Sequence, residues 1–185
     1  MDAGLDGLAT ARLKLRRFTT DDLPLLQALN SDVEVMRYLG GVETAEQTCE
    51  ALHGRILSYY DQHPGYGVWA TLERDSGACI GFHLLNDIRG SAHIQIGYRL
   101  LPQYWGRGYA TEMSLALMRY GYTQLKLAQL TAITHIDNAG SQQVLLKAGL
   151  HRKGERVFDH PAYRAFSPLA WFERDATDWL AEFGA

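Results

Sequence analysis

The stretch that decides the fold reads Gln103-Tyr104-Trp105-Gly106-Arg107-Gly108-Tyr109-Ala110. It lies between a predicted strand, residues 93–101, and a predicted helix that runs to about Tyr122. Glycines at positions 106 and 108 let the backbone turn sharply and approach a ligand without a Cβ atom in the way. The first N–H groups of a helix have no partner within it and carry the positive end of its dipole. The stretch therefore predicts a site for a phosphate or pyrophosphate group, although a plain strand–turn–helix connection has the same pattern.

Two common nucleotide-binding motifs do not match this stretch. A Walker loop ends in Gly-Lys-Ser/Thr, and that ending is absent here. A dinucleotide fingerprint would begin at Gly106 and Gly108, but Thr111 occupies its third glycine position.

A second polar segment, residues 135–141, runs into the start of another predicted helix at 139–148. Asn138 is placed to cap that helix, and Ser141 lies in its first turn. One interpretation is a capping Asn and a solvated Ser. The other is a pair of polar groups directed at a ligand between neighbouring strands.

The rest of the chain predicts a mixed α/β sheet in one domain spanning residues 1–185, with a flexible segment at 1–10. Thr44 and Gln47 form a capping box for a long helix that ends before Pro64. The predicted strands cover residues 12–16, 66–72, 78–85, 93–101, 128–134 and 150–158, with an extended segment at 163–172 and a terminal helix at 177–183.

Composition excludes several classes of function. The 185 residues carry a formal charge of −3 and 46% hydrophobic residues, which disfavours a general nucleic-acid binder and large-scale disorder. Two distant cysteines give no metal-ligand spacing, so no metal is expected. Without a signal peptide or a membrane-length apolar run, we expect a cytoplasmic protein that does not bind membranes.

The motifs together resemble the GNAT superfamily of N-acetyltransferases over residues 12–172. The family's pyrophosphate motif, Gln/Arg-x-x-Gly-x-Gly/Ala, matches Gln103, Gly106 and Gly108, and its later cofactor segment matches Asn138, Ser141 and residues 147–150. Residues 12–16, 96–98 and 104–112 are similar to the RimJ/RimL branch, which includes N-terminal acetyltransferases of ribosomal proteins. The resemblance implies a single-domain GNAT fold, with a mostly antiparallel sheet splayed in its middle and flanked by helices.

The resemblance also implies an acetyl-CoA site. Its pantetheine arm would enter the splay and bond to the backbone around Tyr98 and Leu100. We expect the cofactor to contact Tyr98, Leu100, Gln103, Trp105, Gly106, Arg107, Gly108, Tyr109, Ala110, Asn138 and Ser141.

Catalytic roles are less fully determined by the motifs. A backbone N–H near Ile96 is the implied oxyanion donor. Many family members carry a thiolate-protonating Tyr where this chain has Leu145, so Ser141 is the candidate to hydrogen-bond the departing sulfur. Ser141 also fits a plain helix start.

The general base is a separate question, because Gln95 stands where this branch commonly has Glu. His160, in the turn near the expected acceptor site, is the predicted base, because an unperturbed His titrates near ~6.5. His83, His93 and Asp159 are alternatives. Glu112 matches a branch motif, but a first-turn carboxylate favoured by the helix dipole explains it equally well.

The expected activity is acetyl transfer from acetyl-CoA to a primary amine, by direct attack on the thioester. A protein or peptide N-terminal amine is favoured as acceptor. A small amine, such as an amino acid, polyamine or antibiotic, is the alternative within enzymes. An acetyl-CoA sensor without turnover is the alternative outside them. Monomer and homodimer both remain open.

Overall fold

The computed structural model describes residues 5–184, which form a seven-stranded sheet flanked by helices. The strands are β1 (Leu13–Arg17), β2 (Gly67–Glu73), β3 (Cys79–Asp87), β4 (Ile94–Leu100), β5 (Gln129–His135), β6 (His151–Arg156) and β7 (Leu169–Asp175). The α-helices are α1 (Leu23–Ser31), α2 (Val33–Met36), α3 (Ala45–Ala51), α4 (Ser58–Gln62), α5 (Tyr109–Thr123), α6 (Ala139–Lys147), α7 (Pro161–Arg164) and α8 (Ala176–Phe183). This architecture confirms the predicted fold class.

The sheet opens between β4 and β5. Its strand order is β1-β2-β3-β4-β5-β7-β6, and among the strands within residues 5–184 only the β4–β5 pair is parallel. These two strands pair at a single position, Gln95 with Thr131, whereas β5 and β7 pair over seven positions. The Thr131 hydroxyl reinforces the junction by donating to Ile94 O at 2.8 Å. Beyond it the strands separate, which confirms the splay.

The longer helices form where their caps and apolar stripes predict. Thr44 N–H donates to Gln47 Oε1 at 2.8 Å and Gln47 N–H donates to Thr44 Oγ1 at 3.2 Å, as a capping box requires. The long helix that follows is interrupted by a π-helical segment, Leu52–Leu57, between α3 and α4. In α5 the side chains of Met113 and Leu117 are fully buried against the sheet.

Two short helices correct the predicted layout. Residues 163–172 are not extended throughout, because α7 starts at Pro161 and β7 starts only at Leu169. Proline suits a first helical position, and His160 Nδ1 caps this helix by accepting from Ala162 N–H at 3.1 Å. Helix α2 was not predicted at all; Asp32 caps it by accepting from two backbone N–H groups.

The N-terminal segment is better ordered than predicted. Residues 1–4 lie outside the described residues, but Leu5 is fully buried in the core. Gly7 N–H donates to Leu15 O at 3.0 Å, and Leu15 N–H donates to Leu8 O at 2.8 Å. The expected flexibility is therefore wrong for residues 5–10, since burial of Leu5 and these bonds hold the segment against β1.

Across residues 5–184, the protein contains no helix with both the length and the apolarity needed to traverse a bilayer.

Candidate active site

A cavity of about 670 Å³ extends from α2, along β4, to the N-termini of α5 and α6. Nine of the predicted site residues line it: Tyr98, Leu100, Trp105, Gly106, Gly108, Tyr109, Ala110, Asn138 and Ser141. At its other end it is bounded by α2 and by Tyr163 and Phe166, next to α7. The cavity lining thus runs from the predicted phosphate cradle to the α2 side.

Three predicted residues do not line this cavity. Gln103 is exposed in a short 3-10 helix, Pro102–Tyr104. Arg107 places its guanidinium over the Tyr104 ring, 5.3 Å from the ring centroid. His160 caps α7 instead. Their predicted roles are accordingly not supported by position in the cavity wall.

The glycine cradle has the backbone that its sequence requires. Gly106 and Gly108 have φ angles of 71° and 79°, a left-handed region that other residues rarely adopt. A Cβ added to Gly106 would meet nothing within 4 Å, and one added to Gly108 would meet only Arg12 Nη2, at 3.4 Å. The first helical hydrogen bond of α5 runs from Glu112 N–H to Gly108 O. The backbone N–H groups before Glu112, in the first turn, therefore have no acceptor within the helix. Such a turn can bind a phosphate group.

Arg12 braces this cradle, a role that the sequence did not reveal. Its Nη1 donates to Arg107 O at 2.9 Å, and its Nε pairs with Glu112 Oε2 at 2.7 Å. Glu112 also accepts from the Thr10 hydroxyl at 2.6 Å. Glu112 therefore ties the N-terminal segment to the first turn of α5, which gives it a structural role.

The open edge of β4 presents backbone groups to the splay. Leu101 N–H donates to Ile80 O and Ile88 N–H donates to His93 O, so the odd-numbered residues of β4 bond to β3. Because backbone direction alternates along a strand, Tyr98 and Leu100 face the gap beside β5. Trp105 Nε1 donates to Leu100 O at 2.7 Å and holds the cradle against this edge. An extended ligand in the gap could therefore bond to the backbone of β4.

Tyr98 and Ser141 meet in the cavity wall. The Tyr98 hydroxyl donates to Ser141 O at 3.0 Å, and it lies 3.0 Å from Ser141 Oγ. Burial raises the pKa of Tyr98 well above its usual range. Asn138 Oδ1 accepts from Ser141 N–H at 3.0 Å, so Asn138 is a cap that also orients the Ser. Leu145 is buried, and the phenol in this region comes from β4 instead.

The four predicted bases lie outside the cavity lining. His83 is fully buried, and burial lowers its pKa to about 3. His93 packs edge-on against Trp171, with ring centroids 4.9 Å apart. His160 uses Nδ1 as a helix cap, so its neutral form carries the proton on Nε2. Asp159 is exposed and pairs with Arg164 at 2.9 Å.

Two acid–base groups in the lining were not predicted. Glu34 is exposed on α2. His135 ends β5 and lies against Tyr38, with ring centroids 5.2 Å apart. Its Nδ1 accepts from Asp137 N–H at 3.1 Å, so it too has one nitrogen engaged by the backbone. Glu34 comes from a segment outside the cofactor motifs, and His135 begins the polar segment 135–141, in which attention fell on Asn138 and Ser141.

Comparison with known proteins decides the family. A model described as an acetyltransferase (GNAT) domain matches residues 12–151. The chain belongs to the GNAT acetyltransferase family. The uncharacterized N-acetyltransferase YoaA of Bacillus subtilis (strain 168) is 33% identical over 80% of this chain and 84% of its own length. This GNAT chain is therefore an acetyl-CoA-dependent N-acetyltransferase by family.

Solved structures show the same fold. The RimL ribosomal L7/L12 alpha-N-protein acetyltransferase, in complex with coenzyme A, aligns with a TM-score of 0.73 at 18% identity, covering 90% of this chain and 95% of that one. Spermidine N-acetyltransferase from Vibrio cholerae, in complex with CoA and spermine, aligns with a TM-score of 0.72 at 16% identity, covering 92% and 99%. GNAT relatives of similar fold thus include proteins named for quite different acceptors.

Proposed function

We propose that this GNAT protein transfers the acetyl group of acetyl-CoA to the α-amine of a peptide N-terminus, by direct attack on the thioester. The observation that carries the proposal is one continuous cavity. Its lining begins at the glycine cradle, follows the open edge of β4 and ends beside α2. The cofactor would occupy the first two parts, and the acceptor would enter through the third.

The cofactor fits the residues present. The N-terminal turn of α5 would hold its pyrophosphate, since the glycines leave space where side chains would obstruct it. The pantetheine amides would bond to the β4 backbone at Tyr98 and Leu100. The Tyr98 N–H is the first gap-facing donor beyond the β4–β5 junction, so it replaces the position near Ile96 as our candidate oxyanion donor.

The reaction forms one bond and breaks one. The amine nitrogen attacks the acetyl carbonyl carbon, the C–N bond forms, and the C–S bond breaks. The departing thiolate takes a proton, and the amine loses one to solvent. Ser141 is the proposed donor to the sulfur, and the Tyr98 hydroxyl, 3.0 Å from Ser141 Oγ, would turn from Ser141 O to resupply the proton.

The absence of a strong base from the described lining favours an α-amine. Glu34 is exposed there, and His135 already accepts a backbone bond at Nδ1. A peptide α-amine has a pKa of about 8, against about 10.4 for a lysine-type amine. Near neutral pH a useful fraction of the former is already uncharged. His160 stays a proposed base only if the segment around α7 moves toward the acceptor.

A thiol-release assay with an amine panel tests this function. We expect release of coenzyme A that depends on peptide α-amines, with the N-acetylated peptide detected by mass spectrometry. Blocking the α-amine by formylation should abolish release, whereas blocking a lysine side chain should not. The sensor alternative is motivated by Leu145 and Gln95, which replace familiar catalytic residues. Acetyl-CoA binding without release from any amine would favour that alternative.

A further inference from the structure

Arg99 projects from β4 on the face opposite to Tyr98. Side chains alternate across a strand, so Tyr98 points toward α6 and Arg99 points toward α1. Both residues line the cavity. Arg99 is thus adjacent in sequence to the proposed reacting centre, on the side from which an acceptor would enter.

The guanidinium of Arg99 has a neutral partner only. It donates to Asn30 Oδ1 through Nη1 and lies over the Phe82 ring, 5.2 Å from the ring centroid. Within residues 5–184 no carboxylate forms an ion pair with it, and Nε and Nη2 donate to nothing. Burial lowers its pKa to about 10, so the side chain remains charged near neutral pH. The side chain is half-buried and no carboxylate contacts it directly, which favours a ligand that supplies that contact.

Asn30 holds this cation in a fixed orientation. Asn30 is 5% exposed, and its Nδ2 donates to Glu43 Oε2 at 2.8 Å and to Thr48 Oγ1 at 3.1 Å. With its amide nitrogen committed to these acceptors, the Asn30 oxygen must face Arg99. Glu43 is the carboxylate of this network; it hydrogen-bonds to Asn30, and its charge raises the pKa of Arg99 although the two side chains form no ion pair. The remaining N–H groups of Arg99 are therefore preorganised for a ligand.

The surrounding charge is positive, although the whole chain carries −3. The cavity lining contains one carboxylate, Glu34, and three permanent cations, Arg37, Arg99 and Lys147.

Two more arginines lie nearby. Burial lowers the pKa of Arg99 most, Glu43 partly offsets this, and Arg55 lowers it further. The pKa of Arg89 is likewise lowered, first by burial and then by Arg55. The opposing carboxylate Asp87 is engaged by the Tyr59 hydroxyl at 2.6 Å. A polycation would be repelled by such a wall, whereas an anion would be attracted.

We propose that Arg99 binds a carboxylate on the acceptor, so that the acceptors are amines with an acidic group close to the reacting nitrogen. The proposal rests on the proposed acetyl transfer. The carboxylate could be the α-carboxylate of a free amino acid or the side chain of an acidic N-terminal residue. Both supply the same planar anion, which an arginine binds through paired N–H donors.

Matched acceptors test the proposal and separate the two sources. Alanine against alanine amide isolates the α-carboxylate, and Asp-Ala-Ala-amide against Asn-Ala-Ala-amide isolates the side chain. Spermidine represents the polycations. In at least one of the two pairs, we expect the wild-type protein to have a kcat/KM at least about 10-fold higher for the member with the carboxylate than for its amide. A hydrogen bond to a charged group contributes about 1.5–3 kcal/mol, which corresponds to such a ratio. Equal values within both pairs, or a preference for spermidine, would overturn the proposal.

The variant Arg99→Gln keeps a donor for Asn30 and removes the charge. We expect the ratio of kcat/KM for the acid to that for its neutral partner to fall toward one. The control Arg152→Gln removes a surface cation on β6, remote from the cavity, and should leave the preference intact. Thermal unfolding checks that both variants fold. An unchanged ratio in folded Arg99→Gln would contradict the role of Arg99.

A binding measurement tests anion recognition by Arg99 separately from acetyl transfer. N-acetyl-Asp-Ala-amide and N-acetyl-Asn-Ala-amide are product analogues whose binding to the protein–coenzyme A complex requires no turnover. Tighter binding of the acidic analogue, lost in Arg99→Gln, supports anion recognition even if no tested amine is acetylated. Equal binding of the two analogues contradicts it, even if acetyl transfer occurs.

Discussion

Gly108 is the position at which a single substitution should separate cofactor binding from folding. It is the N-cap of α5, with φ of 79°, and its missing Cβ points into space where only Arg12 Nη2 lies nearby, at 3.4 Å. Gly108→Val would place a branched side chain where the pyrophosphate is proposed to lie. If that blocks one charge-assisted bond from the helix turn, the loss is about 1.5–3 kcal/mol. At 1.4 kcal/mol per factor of ten, acetyl-CoA should bind about 10- to 150-fold more weakly.

The control for this variant is Gly77→Val. Gly77 has a similar φ of 70°, nothing lies within 4 Å of its added Cβ, and it belongs to the β2–β3 turn, away from the cavity. Both valines incur backbone strain on the order of 1–3 kcal/mol, so both should lower the unfolding temperature. Calorimetric titration with acetyl-CoA should then show weakened binding for Gly108→Val only. Wild-type affinity in folded Gly108→Val would refute the cradle argument, as would an equal loss in Gly77→Val.

Two further predictions concern the reacting centre and the core. Ser141→Ala and Tyr98→Phe should each lower kcat by about 100-fold, as expected for loss of a proton donor, while acetyl-CoA affinity changes little. Stopped-flow thiol release measures kcat and calorimetry measures the affinity. A larger loss of affinity than of kcat would mean that the two residues bind the cofactor instead. Because burial lowers the pKa of His83 to about 3, its neutral form stabilises the fold fully above about pH 6.5, and the free energy of unfolding should fall by about 1.4 kcal/mol per pH unit below that. His83→Asn retains a polar partner for Thr71. Urea unfolding between pH 6.5 and 4 should show that its free energy of unfolding falls less steeply with decreasing pH than that of the wild type. An equally steep fall would mean that His83 does not control the acid sensitivity of the fold.

Local patterns predicted the elements of this fold well. The Thr44–Gln47 capping box and the glycine turn before α5 are both present, because each depends on residues close together in the chain. The interruption at Leu52–Leu57 was not predicted, since the apolar stripe alone does not distinguish a π-helical segment from a regular helix. Residues 163–172 were misread although Pro161, at a helix start, carried a usable signal.

The chemistry of the site depended on contacts that the sequence does not encode locally. Tyr98 and Ser141 are 43 positions apart, and Arg99 and Asn30 are 69 apart. Only the register of β4 in the sheet determines that Tyr98 faces α6 while Arg99 faces α1. His160 is an example of a local pattern that misled. Its place in a turn near the expected acceptor site suggested a general base, but its side chain caps α7.

The most direct test of the central claim is calorimetric titration of the purified protein with acetyl-CoA, in the absence of any amine. The claim is that the cavity beside β4 is a cofactor site, and it predicts one saturable site per chain with micromolar affinity or better. Desulfo-coenzyme A, which retains the pyrophosphate, should compete for the same site. Absence of heat, together with an unfolding temperature that does not rise at saturating acetyl-CoA, would contradict the claim.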